Sequence, residues 1–289
     1  MTPLRQRMIE ELQRRNYSQA TIESYVFSVK DFAEYFHKSP DLLGAEEVRQ
    51  YQLYLTNEKK LSARTVKGRM SALRFFYWKT LKRRDIYFDD LPIPKTPKRL
   101  PVVLSPDEVI RLIRAASSLM HRTILILLYA TGIRRAELKW LKVSDIDSPR
   151  MVIHIEQGKG RRDRDIPMTP IVLELLREYW RHTKSRVYMF PSPLVPEKPI
   201  SSKTVWNVVH EAAVRAGLTK RIGPHTLRHS FATHHIEGGT DLLVLQSLLG
   251  HAELKNTLVY VHLSQRQMRA AVNPLDRLTL QSPAENIQS

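Results

Sequence analysis

The spacing of apolar residues predicts that the first third of the chain is entirely helical. After Ser18, a residue type that commonly caps helix N-termini, apolar side chains recur at three- and four-residue steps from Ile22 to Phe36. The same rhythm returns between Val66 and Tyr77, and further helices are predicted at residues 4–15 and 46–58. Because the apolar face of each helix must be covered by another, the segment before residue 92 is predicted to form a bundle of about four helices.

A proline-rich segment separates this bundle from the rest of the chain. Four prolines lie between residues 92 and 101 among three basic residues, a density that forbids a helix and favours an extended linker. The next helix begins at the capping box Ser105 to Glu108, which carries a proline at its first helical position. These signals predict a helical domain at 1–91, a linker at 92–103, a second domain at 104–275 and a tail at 276–289.

The second domain is predicted to combine helices with one hairpin. A strongly apolar helix spans about residues 121–130 and ends at Gly132. Residues 151–156 alternate as a strand, Lys159 lies in a Gly-Lys-Gly turn, and residues 164–167 form the returning strand. The fold class is therefore mainly α (α+β): an N-terminal helical bundle plus a mainly helical domain with a small antiparallel sheet. The remaining helices are predicted at about residues 170–181, 202–216, 226–238, 241–249 and 257–262.

Composition and net charge indicate the class of protein and the kind of partner that it binds. The chain has 42% hydrophobic and 26% charged residues, as globular proteins do. Its longest apolar run, at 124–130, is far shorter than the roughly 20 residues of a membrane span. Since the N-terminus also lacks an apolar signal-peptide core, we expect a cytoplasmic protein. Lys and Arg exceed Asp and Glu by 17 along the whole chain, which favours a nucleic-acid-binding surface over an inert basic or membrane-binding one.

The candidate chemistry is a series of cationic and hydrogen-bonding residues. The absence of cysteine excludes thiolate catalysis and cysteine-ligated metals, and no glycine-rich nucleotide loop occurs. His225 and His229 have a spacing that metal sites use, but Arg228 lies between them and would repel the ion, so no metal is expected. The series consists of Arg134 in TGIRRAEL, Lys159 in GKG, His225 and Arg228 in HTLRH, His251 in LLGH, and Tyr260 in NTLVYVH.

In order and context, this series resembles the tyrosine recombinase (phage integrase) family, including its Xer-like members. The resemblance covers essentially the whole chain, and the nine-residue step from His251 to Tyr260 matches the family's spacing. It implies that the first domain is a SAM-like core-binding domain and the second a catalytic domain. The implied partners are double-stranded DNA with inverted half-sites and three further copies of the chain, in a homotetramer on two DNA sites. The resemblance implies no cofactor.

The residue types suggest how a phosphodiester would be broken. Arg134 and Arg228 can grip a phosphate and neutralise its developing charge without a metal. Tyr260 is the candidate nucleophile, which would form a 3′-phosphotyrosyl link and free a 5′ hydroxyl. By resemblance, Lys159 would protonate that 5′ oxygen, His225 would accept the tyrosine proton and His251 would hold a phosphate oxygen. The assignment of acid and base among these last three residues stays open.

Other basic residues are candidates for DNA contacts. Many lie on or after the helix that contains residues 64–77, where they fit either a DNA-binding surface or an ordinary solvated face. Glu137, one turn after Arg134, is expected to orient that arginine. The candidate DNA contacts are Arg64, Lys67, Arg69, Arg74, Arg135, Arg161 and Arg162.

Two other functions remain open from the sequence. A type IB topoisomerase would use the same tyrosine chemistry to relax DNA without exchanging partners, and a DNA-binding protein would bind without cleaving. The complete catalytic series and the N-terminal bundle favour a recombinase that acts in DNA integration, excision or dimer resolution. The target sequence, any need for a second recombinase or accessory protein, and the choice among phage, transposon, integron and chromosomal roles are not readable from one chain.

Overall fold

The N-terminal helices pack through the apolar stripes that their periodicity predicts. A computed structural model describes residues 2–84, 100–156 and 163–263, which belong to two compact units divided after Arg99. In the first unit, Leu12, Phe32, Tyr51 and Leu73 are completely buried. This unit contains α1 (Pro3–Arg14), α2 (Gln19–Phe36), α3 (Ala45–Leu53) and α4 (Ala63–Phe75).

Two of these helices, α3 and α4, end in π-helical turns that were not predicted, the second at Phe76–Thr80. Ser18 caps α2 as expected, since its hydroxyl accepts a hydrogen bond from the Thr21 amide at 3.3 Å. The helix predicted at 46–58 is confirmed in extent, but it changes type, because α3 ends at Leu53 and continues as a π-helical turn at Tyr54–Glu58. Leu55 is completely buried in this wider turn, which keeps its side chain on the core.

The second unit is built around α6. This helix packs against α8, α9 and α10, and its residues Ile124, Leu125 and Leu128 are completely buried. It begins two residues before the predicted start, because Ser118 caps the helix by accepting from the His121 amide at 3.2 Å. The helices are α5 (Pro106–Arg114), α6 (Leu119–Thr131), α7 (Arg135–Trp140), α8 (Pro170–Thr183), α9 (Ser202–Arg215), α10 (Pro224–Glu237), α11 (Leu242–Leu249) and α12 (Lys255–Leu263).

The hairpin belongs to a three-stranded antiparallel sheet in the order β1 (Ile146–Asp147), β2 (Val152–Ile155) and β3 (Arg164–Pro167). Ile153 pairs with Ile166, and both are buried against the helices. On the other face His154 Nδ1 lies 2.8 Å from an Asp165 carboxylate oxygen. β1 was not predicted, because a strand of two residues is too short to show the alternation of apolar and polar side chains. The mainly α fold with a small antiparallel sheet is confirmed.

Side chains of α10, α11 and α12 form a smaller apolar cluster. Phe231, Leu245, Leu249 and Tyr260 are buried in it, so packing fixes the position of the tyrosine ring. The predicted domain boundaries stay a prediction, because the linker as far as residue 99, the hairpin tip at 157–162 and the chain after residue 263 lie outside the described residues.

Candidate active site

Arg228 lies at the centre of the candidate site. It projects from α10 and is only 3% exposed, and its guanidinium donates to two backbone carbonyls, Gly132 O at 2.5 Å and Leu249 O at 2.6 Å. These carbonyls lie where α6 and α11 end, so each carries the partial negative charge of a helix C-terminus. Burial and the charge of Arg134 lower the pKa of Arg228 to about 10, which leaves it protonated at neutral pH.

Gly132 is required by the way α6 ends beside Arg228. Its φ is +58°, the left-handed conformation that disfavours other residues. A Cβ at this position would lie 2.5 Å from Phe231 Cδ1, so a larger residue would displace the ring that packs on it. The glycine of the TGIRR motif thus lets the chain turn from α6 towards α7 while its carbonyl faces Arg228.

Arg134 caps the start of α7 and is oriented by Glu137. Its backbone amide and its Nη1 donate to the two Glu137 carboxylate oxygens at 2.9 and 2.7 Å, and its Nη2 donates to Gly250 O at 2.9 Å. The contact with Glu137 is the one that the sequence led us to expect. Arg134 and Arg228 therefore both bond to backbone carbonyls at the C-terminal end of α11.

Arg164, at the start of β3, is a third arginine in this network and is not among the site residues predicted from the sequence. Its Nη1 and Nη2 donate to the two oxygens of Glu137 at 3.1 and 2.7 Å, while its Nε donates to Leu248 O at 2.9 Å. The Arg164 and Glu137 side chains are 8% and 7% exposed. Burial alone would raise the pKa of Glu137, but the hydrogen bonds and charges of Arg164 and Arg134 outweigh it and lower the pKa to about 2.

Tyr260 projects from α12 and is only 3% exposed. Its hydroxyl lies 3.1 Å from His229 Nδ1, and its ring is nearly parallel to that of His251, with 6.2 Å between the ring centroids. Burial raises the pKa of Tyr260, while the charges of Arg228 and Arg134 act in the opposite direction. The hydroxyl is thus protonated at neutral pH and lies in the field of two arginines.

The two histidines beside Tyr260 are neutral at pH 7. Burial and the charges of His225 and Arg228 lower the pKa of His229 to about 4. Burial and the charges of Arg228 and Arg134 lower the pKa of His251 to about 4 as well. His251 Nδ1 is hydrogen-bonded to the Thr257 hydroxyl at 2.9 Å, which fixes the orientation of its ring.

The structure brings four of the six predicted site residues together: Arg134, Arg228, His251 and Tyr260. His225 is exposed on the first turn of α10, and its ring centroid lies 6.4 Å from that of His229. The resemblance assigned the tyrosine proton to His225, and His229 was considered only for its metal-site spacing from His225, whereas in the structure His229 is the histidine that contacts the Tyr260 hydroxyl. The sixth residue, Lys159, lies outside the described residues, as do Arg161 and Arg162.

The candidate DNA contacts of the first unit divide into two kinds. Arg64, Lys67 and Arg74 are exposed on α4 and remain candidates. Arg69 is unsuited to that role, because its side chain is 14% exposed and is held in an ion pair with Asp31 inside the unit. Arg135 in the second unit is half-buried at the start of α7.

Two further findings concern metals and membranes. Within residues 2–84, 100–156 and 163–263, no group of three or more His, Cys, Asp or Glu side chains is arranged to hold a metal ion. No helix in those ranges combines the length and the apolar character that crossing a membrane requires.

Comparisons with known proteins identify the family. Residues 102–267 match the phage integrase family, and residues 4–85 match the phage integrase N-terminal SAM-like domain. A putative integrase/recombinase of Sinorhizobium fredii is 43% identical over 283 residues, which cover 98% of this chain and 92% of the relative. The tyrosine recombinase XerA of Pyrococcus furiosus is 34% identical over 278 residues, 93% of this chain and 94% of the relative. The chain therefore belongs to the phage integrase family of tyrosine recombinases.

Solved structures agree with this assignment. The crystal structure of XerA recombinase shares 32% identity with a TM-score of 0.55, and the match covers 92% of this chain and 95% of that one. A λ integrase dimer bound to a COC′ core site has a TM-score of 0.71 at 22% identity, with coverage of 93% and 78%. The second match shows a shared fold alone.

Proposed function

We propose that this protein is a site-specific DNA recombinase that cleaves and rejoins duplex DNA through a 3′-phosphotyrosyl intermediate on Tyr260. The observation that carries the proposal is the position of one buried tyrosine hydroxyl in the field of buried Arg228 and half-buried Arg134. Packing alone gives no reason for a tyrosine hydroxyl to lie beside two guanidiniums, which are the side chains best suited to bind a phosphate.

The chemistry needs each member of the site. The Tyr260 oxygen attacks the scissile phosphorus and loses its proton, and the bond from phosphorus to the 5′ oxygen breaks. That oxygen leaves as a hydroxyl after taking a proton, a role we assign to Lys159. The phosphotyrosyl bond retains the energy of the phosphodiester, so a 5′ hydroxyl can reverse the reaction on the same or another strand without ATP.

Arg134 and Arg228 are suited to stabilising the transition state. Each guanidinium has five N–H donors, and the carbonyl and carboxylate contacts described above hold it in one orientation while leaving donors for a phosphate. Prepositioned donors of this kind stabilise developing negative charge without reorganising during the reaction. We assign His251 to a non-bridging phosphate oxygen.

We propose double-stranded DNA with inverted half-sites as the partner. The net charge of +17 and the exposed basic residues of α4 support it. Recombination joins two duplexes and cuts four strands, so we infer that four copies assemble on two sites. We also propose that the protein is cytoplasmic and associates with the nucleoid. If 6–10 phosphates are neutralised, affinity should fall by roughly 10³–10⁵ between 50 and 200 mM salt.

The decisive experiment uses DNA fragments that the protein binds in cells, nicked beside the cleavage position so that the covalent product accumulates. The wild-type protein should form an adduct that survives denaturation and carries the 3′ end of the DNA, with or without EDTA, and it should join arms from different duplexes. Adducts without joined arms would indicate a topoisomerase. Binding without adducts would indicate a DNA-binding protein, and loss of cleavage in EDTA would indicate a metal-dependent nuclease.

A further inference from the structure

We infer that His229 is the group that takes the proton from Tyr260 during attack on the phosphate, and that His225, one turn earlier on α10, passes this proton towards solvent. The inference rests on the proposed function, since it concerns the same nucleophile. It adds a catalytic residue to the six selected from the sequence and changes the part given to His225.

Geometry selects His229. Its Nδ1 lies 3.1 Å from the Tyr260 hydroxyl oxygen, a hydrogen-bonding distance, and 5.6 Å separates the two ring centroids. His251 also lies beside the tyrosine ring, but its Nδ1 is bonded to the Thr257 hydroxyl at 2.9 Å. A general base must reach the proton that it removes, and His229 does so in the structure.

The protonation states agree with this geometry. Because its pKa is lowered to about 4, His229 is a neutral imidazole with one donor nitrogen and one acceptor nitrogen. The Tyr260 hydroxyl is protonated, since burial raises the pKa of Tyr260. The inference assigns the phenol as the donor to Nδ1, which puts the ring hydrogen of His229 on Nε2.

DNA binding changes the balance between the two groups. The titratable and charged groups that face His229 are His225 and Arg228 on its own helix, Tyr260 on α12 and His251 after α11. In the free protein the cationic neighbours oppose protonation of His229. A DNA phosphate held by Arg228 and Arg134 adds negative charge, which favours the imidazolium. The free enzyme thus keeps its nucleophile protonated, and the substrate itself promotes the proton transfer.

A path for the proton runs along α10. His225 and His229 are four residues apart, so their side chains share one face of the helix, and their ring centroids are 6.4 Å apart. Exposure increases along the series, from buried Tyr260 through half-buried His229 to exposed His225. The O–H bond of Tyr260 breaks as its oxygen bonds to phosphorus, Nδ1 of His229 gains that proton, and Nε2 releases its own towards His225 and water.

The test is His229→Asn, with His234→Asn as its matched control. An asparagine amide occupies nearly the position of Nδ1, so it keeps a hydrogen-bonding partner for Tyr260 but accepts no proton. His234 lies on the same helix and makes a similar contact with Tyr129, 2.8 Å from Nδ1 to the hydroxyl. We expect single-turnover cleavage by His229→Asn to fall by about 10²–10⁴, the usual contribution of a general base. His234→Asn should cleave at nearly the wild-type rate, and both variants should bind DNA normally.

Two further readouts separate proton transfer from a structural role. Cleavage by His229→Asn should rise steadily with pH, because hydroxide replaces the missing base. A substrate whose scissile 5′ oxygen is replaced by sulfur has a leaving group that needs no proton donor. It should restore cleavage to Lys159→Ala and leave the defect of His229→Asn unchanged.

Wild-type cleavage by His229→Asn would overturn the inference, and so would rescue of that variant by the sulfur-containing substrate. His225→Asn, altered at an exposed side chain, gives an independent result if His229→Asn does not fold. Its cleavage should be slower than wild type and should increase with imidazole buffer concentration, whereas an unchanged rate without buffer dependence would remove His225 from the path. Absence of adducts in the wild-type protein would instead refute the proposed function.

Discussion

Helix α10 carries two histidines that each contact a tyrosine of another helix, and the two pairs look alike but are not equivalent. His229 lies 3.1 Å from the hydroxyl of Tyr260, and His234, five residues later, lies 2.8 Å from the hydroxyl of Tyr129 on α6. Both contacts run from Nδ1 to a phenol. A hydrogen bond between histidine and tyrosine therefore does not by itself mark a nucleophile.

The arginines around Tyr260 make the difference. Burial raises the pKa of Tyr129. Burial raises the pKa of Tyr260 too, but Arg228 and Arg134 act against it and stabilise the phenolate relative to an uncharged setting. The same two guanidiniums can hold a phosphate. If Tyr260 is the nucleophile, as proposed, then the arginines beside it, and not its contact with a histidine, distinguish it from Tyr129.

The largest effect should come from removing the hydroxyl of Tyr260, and removing the hydroxyl of Tyr129 is the matched control. Tyr260→Phe should abolish the covalent adduct, because it removes the oxygen that is proposed to attack the phosphate, while DNA affinity stays close to wild type. Tyr129→Phe should cleave at nearly the wild-type rate. Denaturing gels of nicked-substrate reactions measure both results. An adduct formed by Tyr260→Phe would show that another residue is the nucleophile.

Changing the arginines tests what distinguishes the two pairs. Arg228→Lys and Arg134→Lys keep a positive charge and lose the planar fork that bonds two groups at once. Each should lower the single-turnover cleavage rate by about 10²-fold or more, as removal of a transition-state donor does. Arg177→Lys, a change in an exposed ion pair with Glu174, is the control and should leave the rate unchanged.

A DNA substrate with an uncharged methylphosphonate at the cleavage position sharpens this test. A neutral group needs less charge stabilisation, so the defect of the two lysine variants should shrink on that substrate. An equal defect on both substrates would mean that the arginines act on folding or on DNA position and not on phosphate charge.

Much of the fold was predictable because local signals determine it. The Ser105 to Glu108 capping box, the glycine at the end of α6 and the β2–β3 hairpin are all encoded within a few residues. The π-helical turn after α3 was missed, since a short change of helical pitch leaves the apolar periodicity almost intact. β1 is too short to have any periodicity.

The site was predictable as a set of residue types, and of its contacts only the local one between Arg134 and Glu137 was predicted. Arg164 and Glu137 are 27 residues apart, and Arg134 meets Gly250 across 116 residues. Periodicity indicates which face of a helix is buried but not which distant group meets it. His229 was set aside for this reason: its position on α10 was evident, and its contact with Tyr260 depends on where α12 packs.

Glu137 gives a smaller effect, visible in stability as a function of pH. The carboxyl has a pKa of about 2 in the folded protein and about 4.5 when unfolded, so the stability it contributes is present above pH 4.5 and is lost as pH falls towards 2. The shift corresponds to about 3 kcal/mol in the free energy of unfolding.

Glu137→Gln should destabilise the protein at pH 6 and reduce the dependence on pH between 5 and 3, as measured by urea unfolding. Glu174→Gln, in an exposed pair with Arg177, should change stability by at most about 1 kcal/mol. An identical acid dependence in Glu137→Gln and wild type would mean that the carboxylate is not the anchor of Arg134 and Arg164.

The smallest effect belongs to the pair without arginines. If the His234–Tyr129 contact serves only stability, a double-mutant cycle with Tyr129→Phe and His234→Asn should give a coupling of about 1 kcal/mol in the free energy of unfolding, the net value of an ordinary hydrogen bond. The two single variants and the double variant should retain cleavage, because the pKa of Tyr129 is raised by burial and Arg228 and Arg134 are not among its causes. A cleavage defect larger than the loss of folded protein would place this second pair in the mechanism and would remove the distinction between the two pairs.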